Sequence, residues 1–355
     1  MLKTDHILYQ EDLSNVSEVL QKCGRPDRKI KILVTGATGL IGSFLTDALL
    51  YYNTQIQRKF EIYAMGRSME RLKKRFSYAG PSEIYLWKHD IMLPMEKGIY
   101  FDYIFHLASN ADPGQYASYP FETITTNVLG SIHMIQYAKE HPSSRILFAS
   151  SMEVYGENDG TALQESDYGI IDYNAIRSGY PESKRVSELL YRSAVHEYGI
   201  SCCIARLGYI YGPTMTDSDN KVVAQFLKSA VNGYPLILKS LGKQRRTYCY
   251  VTDAVTGMLL IMLLGENGEA YNIADKNSLV TIRQLGEMIA KQAGVELQIR
   301  NGPDVEKRSV DKNDVILNAE KLEMLGWSAR IGVDEGIRRT IGILTKEIDE
   351  LSRKV

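Results

Sequence analysis

The sequence predicts an α/β fold: a doubly wound parallel sheet with helices on both faces, joined to a smaller lobe towards the C-terminus. Three observations carry this expectation. Short β-branched apolar runs alternate with segments of helical spacing from Lys29 onward, and strands separated by connections long enough for a helix pair in parallel. A glycine-rich turn stands between the first such run and the first such helix. Beyond Gly208 the rhythm weakens, and Gly212-Pro213, Gly233-Tyr234-Pro235 and Gly302-Pro303 punctuate the chain as in a loop-rich lobe.

Taken in order, residues 1–28 read as an N-terminal extension, with helical spacing around residues 16–20 that stops at Cys23-Gly24-Arg25-Pro26. The main unit spans 29–207 and opens with a strand at Ile30–Thr35 and a helix over residues 40–50. Further strands are expected at residues 61–65, 83–87, 103–107, 145–149 and 201–207, with helices at 68–78, 127–139 and 182–198. Residues 208–355 are expected mainly in the smaller lobe, over the carboxyl edge of the sheet where such folds bind ligands, with residues 248–275 returning to the sheet unit.

Composition narrows the function classes. In 355 residues, 44% hydrophobic and 24% charged side chains suit a sizeable core rather than disorder. Lysine plus arginine number 42 against 43 acids, which leaves no excess to neutralise a nucleic acid or an anionic membrane. Cys23, Cys202, Cys203 and Cys249 show no C-x-x-C spacing and read as reduced, mostly buried thiols. The histidines show no metal spacing, so no metal site is expected. Lys3, Asp5 and His6 interrupt the apolar stretch a signal peptide needs, and the longest apolar run, residues 255–264, is too short for a bilayer. The expectation is a cytoplasmic protein.

The turn Gly36-Ala37-Thr38-Gly39-Leu40-Ile41-Gly42 follows a strand and opens a helix. Glycines there let the backbone approach a pyrophosphate, whose charge rests at the helix N-terminus, so a dinucleotide site is expected rather than a plain tight turn. The second strand ends in Gly66-Arg67-Ser68, without the carboxylate that would accept from a ribose hydroxyl. Arg67 pairs with a 2′-phosphate in one reading, leaning towards NADP, and is a solvated helix-start charge in the other. Asp90, in His89-Asp90-Ile91, is placed to touch the adenine amine.

Tyr180 and Lys184 lie four apart in a helical segment and share one face. The ammonium would lower the phenol's pKa and hold a nicotinamide ribose, so that a tyrosinate takes a proton from an alcohol as hydride leaves its carbon. Ser151, about thirty residues upstream at a strand end, supplies a hydroxyl to the same oxygen. Glu153 beside it suits a catalytic or substrate role. Arg246, next to Arg245 in the later lobe, suits a diphosphate.

On these residues, together with His106-Leu107-Ala108-Ser109, Thr126-Asn127-Val128-Leu129-Gly130, Ser150 to Gly156, Tyr211-Gly212-Pro213 and Tyr250-Val251-Thr252-Asp253, the sequence resembles the extended short-chain dehydrogenase/reductases, the nucleotide-sugar epimerases, dehydratases and decarboxylases. The resemblance covers residues 29–327. It implies a Rossmann unit holding NAD or NADP tightly, with Gly36, Thr38, Gly39, Leu40, Ile41, Gly42, Ile91, Leu107, Ala108, Ser109 and Asn127 on the cofactor. It further implies a nucleotide-sugar substrate, most simply a UDP-sugar, and a homodimer built on the helices at 127–139 and 182–198.

Arg177 to Arg185 and the loop Ala108 to Pro113 followed by Tyr116 are most similar to the UDP-glucuronate decarboxylase group. The same resemblance implies substrate roles for Tyr116, Met152, Arg177, Tyr209, Arg246 and Arg308. Two positions depart from the pattern. Met152 replaces the aspartate of dehydratases or the frequent serine of decarboxylases, and Tyr209 replaces an asparagine that binds phosphate. The expected chemistry is oxidation at the sugar C4, leading to decarboxylation; 4-epimerisation is the alternative, and 4,6-dehydration comes last because of Met152. A non-catalytic dinucleotide-binding sensor is the rival of another class.

Overall fold

The computed structural model describes residues 3–21, 28–56, 60–96, 98–158, 160–300 and 314–352. Helix α1 (Ile7–Leu20) comes first, capped by the His6 ring, which accepts from the Leu8 amide at 3.2 Å. Next come β1 (Ile30–Thr35), α2 (Leu40–Gln55), β2 (Phe60–Gly66), α3 (Met69–Arg75), β3 (Ile84–Lys88), β4 (Tyr103–His106), α4 (Pro113–Ser118), α5 (Pro120–Glu140), β5 (Arg145–Ser151), β6 (Ala162–Leu163), α6 (Gly179–Tyr198) and β7 (Ser201–Leu207). The remainder adds β8 (Tyr209–Tyr211), α7 (Val222–Val231), β9 (Leu236–Leu238), β10 (Arg245–Tyr250), α8 (Val251–Leu264), β11 (Ala270–Ile273), β12 (Leu279–Thr281), α9 (Ile282–Ala293), β13 (Leu297–Ile299), β14 (Ile316–Leu317), α10 (Glu320–Glu323) and α11 (Val333–Ser352).

Seven strands form one parallel sheet in the order β11-β7-β5-β4-β1-β2-β3. Its inner strands are buried on both faces, which is why β1 and β7 read as continuous apolar runs rather than alternating ones. The chain leaves β1 in both directions, to β2 on one side and later to β4 on the other. That reversal opens a crevice at the carboxyl ends of the strands, where open α/β sheets bind ligands. The outermost strand, β11, comes from beyond Gly208, and α8 between β10 and β11 is buried almost throughout. The apolar run at 255–264 is therefore core, and among the described residues no helix is long and apolar enough to cross a membrane.

Beyond β7 the smaller sheets β12-β10-β8 and β13-β9 build the lobe over the crevice. Two hydrogen bonds tie it across: the Thr214 hydroxyl donates to the Leu40 carbonyl at 2.8 Å, and the Asn220 amide to the Asp112 carboxylate at 2.9 Å. Cys202, Cys203 and Cys249 are buried and free; Cys23 lies outside the described residues.

Two helices begin earlier than their spacing predicts. Helix α5 starts at Pro120, not 127, because Pro120 occupies the first turn, where its missing N–H costs nothing. Thr123 and Thr125 obscure the apolar pattern, their hydroxyls donating to the Tyr119 and Phe121 carbonyls at 2.9 and 3.0 Å. Helix α1 runs from Ile7, its buried Tyr9, Leu13, Val16 and Leu20 packing inward.

Candidate active site

A single cleft of about 1480 Å³ runs along the carboxyl ends of β1, β2, β4 and β5 and under the smaller lobe. It is larger than the roughly 300–1,000 Å³ of a pocket for one small ligand, so two molecules fit end to end. The glycine turn forms one wall. Gly36 has φ +65°, and a Cβ there would stand 3.0 Å from the Ala108 backbone. A Cβ on Gly42 would meet the Gly36 carbonyl oxygen at 2.4 Å. Both positions therefore need glycine, and the first turn of α2 opens onto the cleft with unsatisfied amides that suit a pyrophosphate. Opposite, the Thr35 hydroxyl accepts from the Leu107 and Ala108 amides, each at 3.0 Å. That pins the loop carrying Ser109, whose buried hydroxyl has no protein partner among the described residues. A buried polar atom of this kind is expected to meet a ligand or water. The cradle thus fits a dinucleotide.

Deeper in, Tyr180 and Ser151 both line the cleft, the serine near enough to pull the phenol's pKa down. Ser151 itself accepts from the Glu153 amide at 3.2 Å, which fixes its rotamer. The phenol ring stacks on Tyr116 with centroids 4.8 Å apart and planes 10° from parallel. Burial holds the Tyr180 phenol well above its ordinary pKa; Ser151 pulls it down, and Glu153 and Tyr116 push it up. Lys184 is 2% exposed and donates to the Ala149 carbonyl at 2.8 Å. Burial pulls its ammonium down to about 7, against the opposing field of Glu188. Burial of both groups works against the expected acidification of Tyr180 by Lys184.

Around this pair stand the remaining expected residues. Glu153 and Arg177 face each other at 3.7 Å, the arginine largely exposed to the cleft. Burial pushes the Tyr116 phenol up to about 12, with Arg177 nearby pulling it down. Arg246 lies 4.4 Å over the Tyr209 ring, with its buried Nε unpartnered among the described residues. Met152, Ile91, Thr38, Gly39, Leu40, Ile41 and Arg67 also line the cleft. Two predicted residues lie outside the lining: Asp90 accepts from the Met92 amide at 3.0 Å, and Asn127 is buried, donating to the Ser183 hydroxyl at 2.8 Å. Arg308 lies outside the described residues.

Sequence reasoning missed the segment 214–232, whose Thr214, Asp217, Lys221 and Lys228 close the far end of the cleft. It also missed Glu188. That carboxylate follows Tyr180 and Lys184 at the same helical spacing, so the face was readable; its partner Arg206, bound at 2.8 Å, comes from β7 and was not.

The family model for the NAD dependent epimerase/dehydratase family matches residues 32–274. UDP-glucuronic acid decarboxylase 6 of Arabidopsis thaliana is 34% identical over 311 residues, 87% of each chain. UDP-glucuronic acid decarboxylase 1 of Xenopus tropicalis is 30% identical over 328 residues, 91% of this chain and 74% of that one. Among solved structures, the UDP-glucose 4-epimerase of Thermotoga maritima with UDP-glucose superposes with a TM-score of 0.74 at 23% identity, over 90% of this chain and 100% of the other. The glycine cradle, the buried tyrosine on its helix and a match spanning the sheet from β1 to β11 converge on one assignment: the chain belongs to the NAD dependent epimerase/dehydratase family.

Proposed function

We propose that the protein is a nucleotide-sugar enzyme that oxidises a UDP-sugar at C4, and that its substrate is UDP-glucuronate, which it decarboxylates. The observation that carries the reading is the Tyr180–Ser151 pair at the floor of a cleft that also presents Arg177. A sugar carboxylate needs a cation, and Arg177 is held only loosely by Glu153 at 3.7 Å. The relatives that are 29–34% identical carry the name UDP-glucuronic acid decarboxylase, which supports this choice of sugar.

When bound, the nicotinamide supplies a hydride acceptor for C4 and a positive charge beside Tyr180. Gly36, Gly39 and Gly42 with Ser109 would hold the dinucleotide, and Lys184 would hold its ribose. Tyr180 removes the C4 hydroxyl proton, and Ser151 orients that oxygen. In the resulting 4-keto sugar the ketone lies β to the C6 carboxylate, so carbon dioxide leaves with its bonding electrons held as an enolate, which takes a proton from solvent at C5 to give a 4-keto pentose. Tyr180 then returns its proton to the C4 oxygen as hydride comes back. Arg246 and Tyr209 hold the diphosphate side of the substrate. In this reading residues 29–207 carry the dinucleotide and 208–355 mainly the sugar nucleotide, with 248–275 rejoining the sheet. The setting is the cytoplasm.

Incubation with UDP-glucuronate, UDP-glucose and UDP-galactose, followed by NMR, tests the proposal. Carbon dioxide release with a UDP-pentose from the first is expected. Interconversion of the other two makes it a 4-epimerase instead, and no conversion of any sugar leaves a dinucleotide sensor.

The protein works as a homodimer, by this proposal, through α5 and α6. Phe121 and Ile124 on one helix and Val186 and Leu189 on the other are exposed, Phe121 by 79% and Leu189 by 65%, and apolar side chains on two packed helices are what a partner helix pair would cover. Leu189→Glu is expected to halve the mass seen by light scattering; an unchanged mass would remove this interface.

A further inference from the structure

Helix α1 precedes the residues 32–274 that the family shares, and no step of the proposed chemistry uses it. It packs on α2 and α8 and touches α11. Helix α2 is the one that the glycine turn opens, whereas α11 packs on α7 and α9 of the smaller lobe. One helix thus meets both parts of the molecule that wall the cleft. The turn Lys3–Asp5 just before it also brings Thr4 into the cleft lining, to which α11 contributes Leu344.

Two buried polar anchors fix α1, and they lead to different parts of the fold. The Tyr9 phenol donates at 2.5 Å to Asp47 of α2, a carboxylate 2% exposed that also accepts from Arg75 and Tyr78. Tyr9 therefore grips the sheet unit, since α2 starts at the glycine cradle and Arg75 and Tyr78 line the cleft. Asp12, fully buried, accepts from the Tyr250 phenol at 2.8 Å and from the Arg339 guanidinium at 2.9 Å. Tyr250 ends β10 and Arg339 belongs to α11, so Asp12 grips the smaller lobe. Arg339 donates in turn to the Leu8 carbonyl at 3.3 Å and to Glu11 at 3.0 Å, and Arg330 pairs with Glu18 at 2.6 Å. Apolar packing alone would let a helix slide, whereas a buried carboxylate that loses its partners is costly, so anchors of this kind fix one geometry. The Thr214 and Asn220 bonds across the cleft are weaker ties, the first part-buried and the second exposed to competing water.

We infer that α1 is a brace: it holds the smaller lobe against the sheet unit and keeps the cleft closed around its contents, with Tyr9 and Asp12 as positioning residues that act through Asp47 and Arg339. The inference rests on the cleft being a site for a dinucleotide and a sugar nucleotide, and the measurements separate the two ideas. A hydrogen bond to a charged partner corresponds to about 10-fold in an opening equilibrium. A ligand behind a closed cleft leaves in proportion to the open population. In Tyr9→Phe with Asp12→Asn, bound NADH chased by excess NAD is therefore expected to leave about 10-fold faster or more, read by its fluorescence. The KM for UDP-glucuronate should rise by about 3-fold or more while kcat at saturation changes by less than about 2-fold, because the reacting groups are untouched. Hydrogen exchange should quicken in α1 and α11 and stay slow in β1, β4 and β5, which shows the sheet still folded. Each substitution is also read alone, so a double variant that fails to fold leaves the test standing. A lower urea midpoint with unchanged NADH release would make α1 a stabilising element only and overturn the brace, while the cleft's assignment stands. Wild-type protein that binds no NADH would instead overturn the dinucleotide site, and the brace with it.

Discussion

Tyr180→Phe is expected to lower turnover of UDP-glucuronate by about 10³-fold or more, at the upper part of the range that a positioned general acid or base contributes. Dinucleotide binding should be unchanged. The substitution removes one oxygen from a ring that is fixed independently of it, since Tyr116 stacks on it at 4.8 Å and α6 carries it in its first turn. The loss is therefore chemical. NMR assay of product formation and mass spectrometry of the dinucleotide released on denaturation check the two halves separately. Burial holds the wild-type phenol above its ordinary pKa, so proton transfer needs the positive charge of the bound nicotinamide nearby. A variant that keeps a tenth of wild-type activity would remove Tyr180 from the mechanism.

How much of this was readable in the sequence follows from which interactions are local. The strands were legible to within about two residues because parallel strands buried on both faces are mostly apolar, as Ile30–Thr35 and Ser201–Leu207 are apart from Lys31 and Arg206. The glycine turn was legible because Gly36 and Gly42 stand where a Cβ would strike backbone. Tyr180 and Lys184 were legible through helical spacing together with Ser151 at the end of the preceding strand. Contacts between distant segments carry no such local signal. Nothing around Tyr9, Asp47, Arg75 and Tyr78 announces that four residues from three stretches meet at one carboxylate. The same holds for Asp112 and Asn220, which are 108 residues apart yet close the cleft. The sequence also favoured a lysine that acidifies its tyrosine; the burial of both groups, a tertiary property, opposes that shift.

Arg206→Met is expected to cost about 3–5 kcal/mol of stability, because breaking a buried ion pair leaves an uncompensated charge. The wild-type guanidinium bonds the Glu188 carboxylate at 3.0 and 2.8 Å, the Tyr155 hydroxyl at 2.9 Å and the Glu165 carbonyl at 3.0 Å, and both charged side chains are about nine-tenths covered. Glu188 also accepts from Ser150, the neighbour of Ser151, and sits one turn beyond Lys184, so this pair underlies the floor of the cleft. Pairing Glu188→Met with Arg206→Met should recover at least half of the loss, since apolar side chains of similar volume replace buried pairs at little cost. Urea midpoints measure this, and an equal loss in the single and double variants would show that Arg206 acts through packing rather than charge. If the charge account holds, Lys184 in the double variant has lost the Glu188 field that opposes its burial, and activity at neutral pH should fall even where stability has been restored.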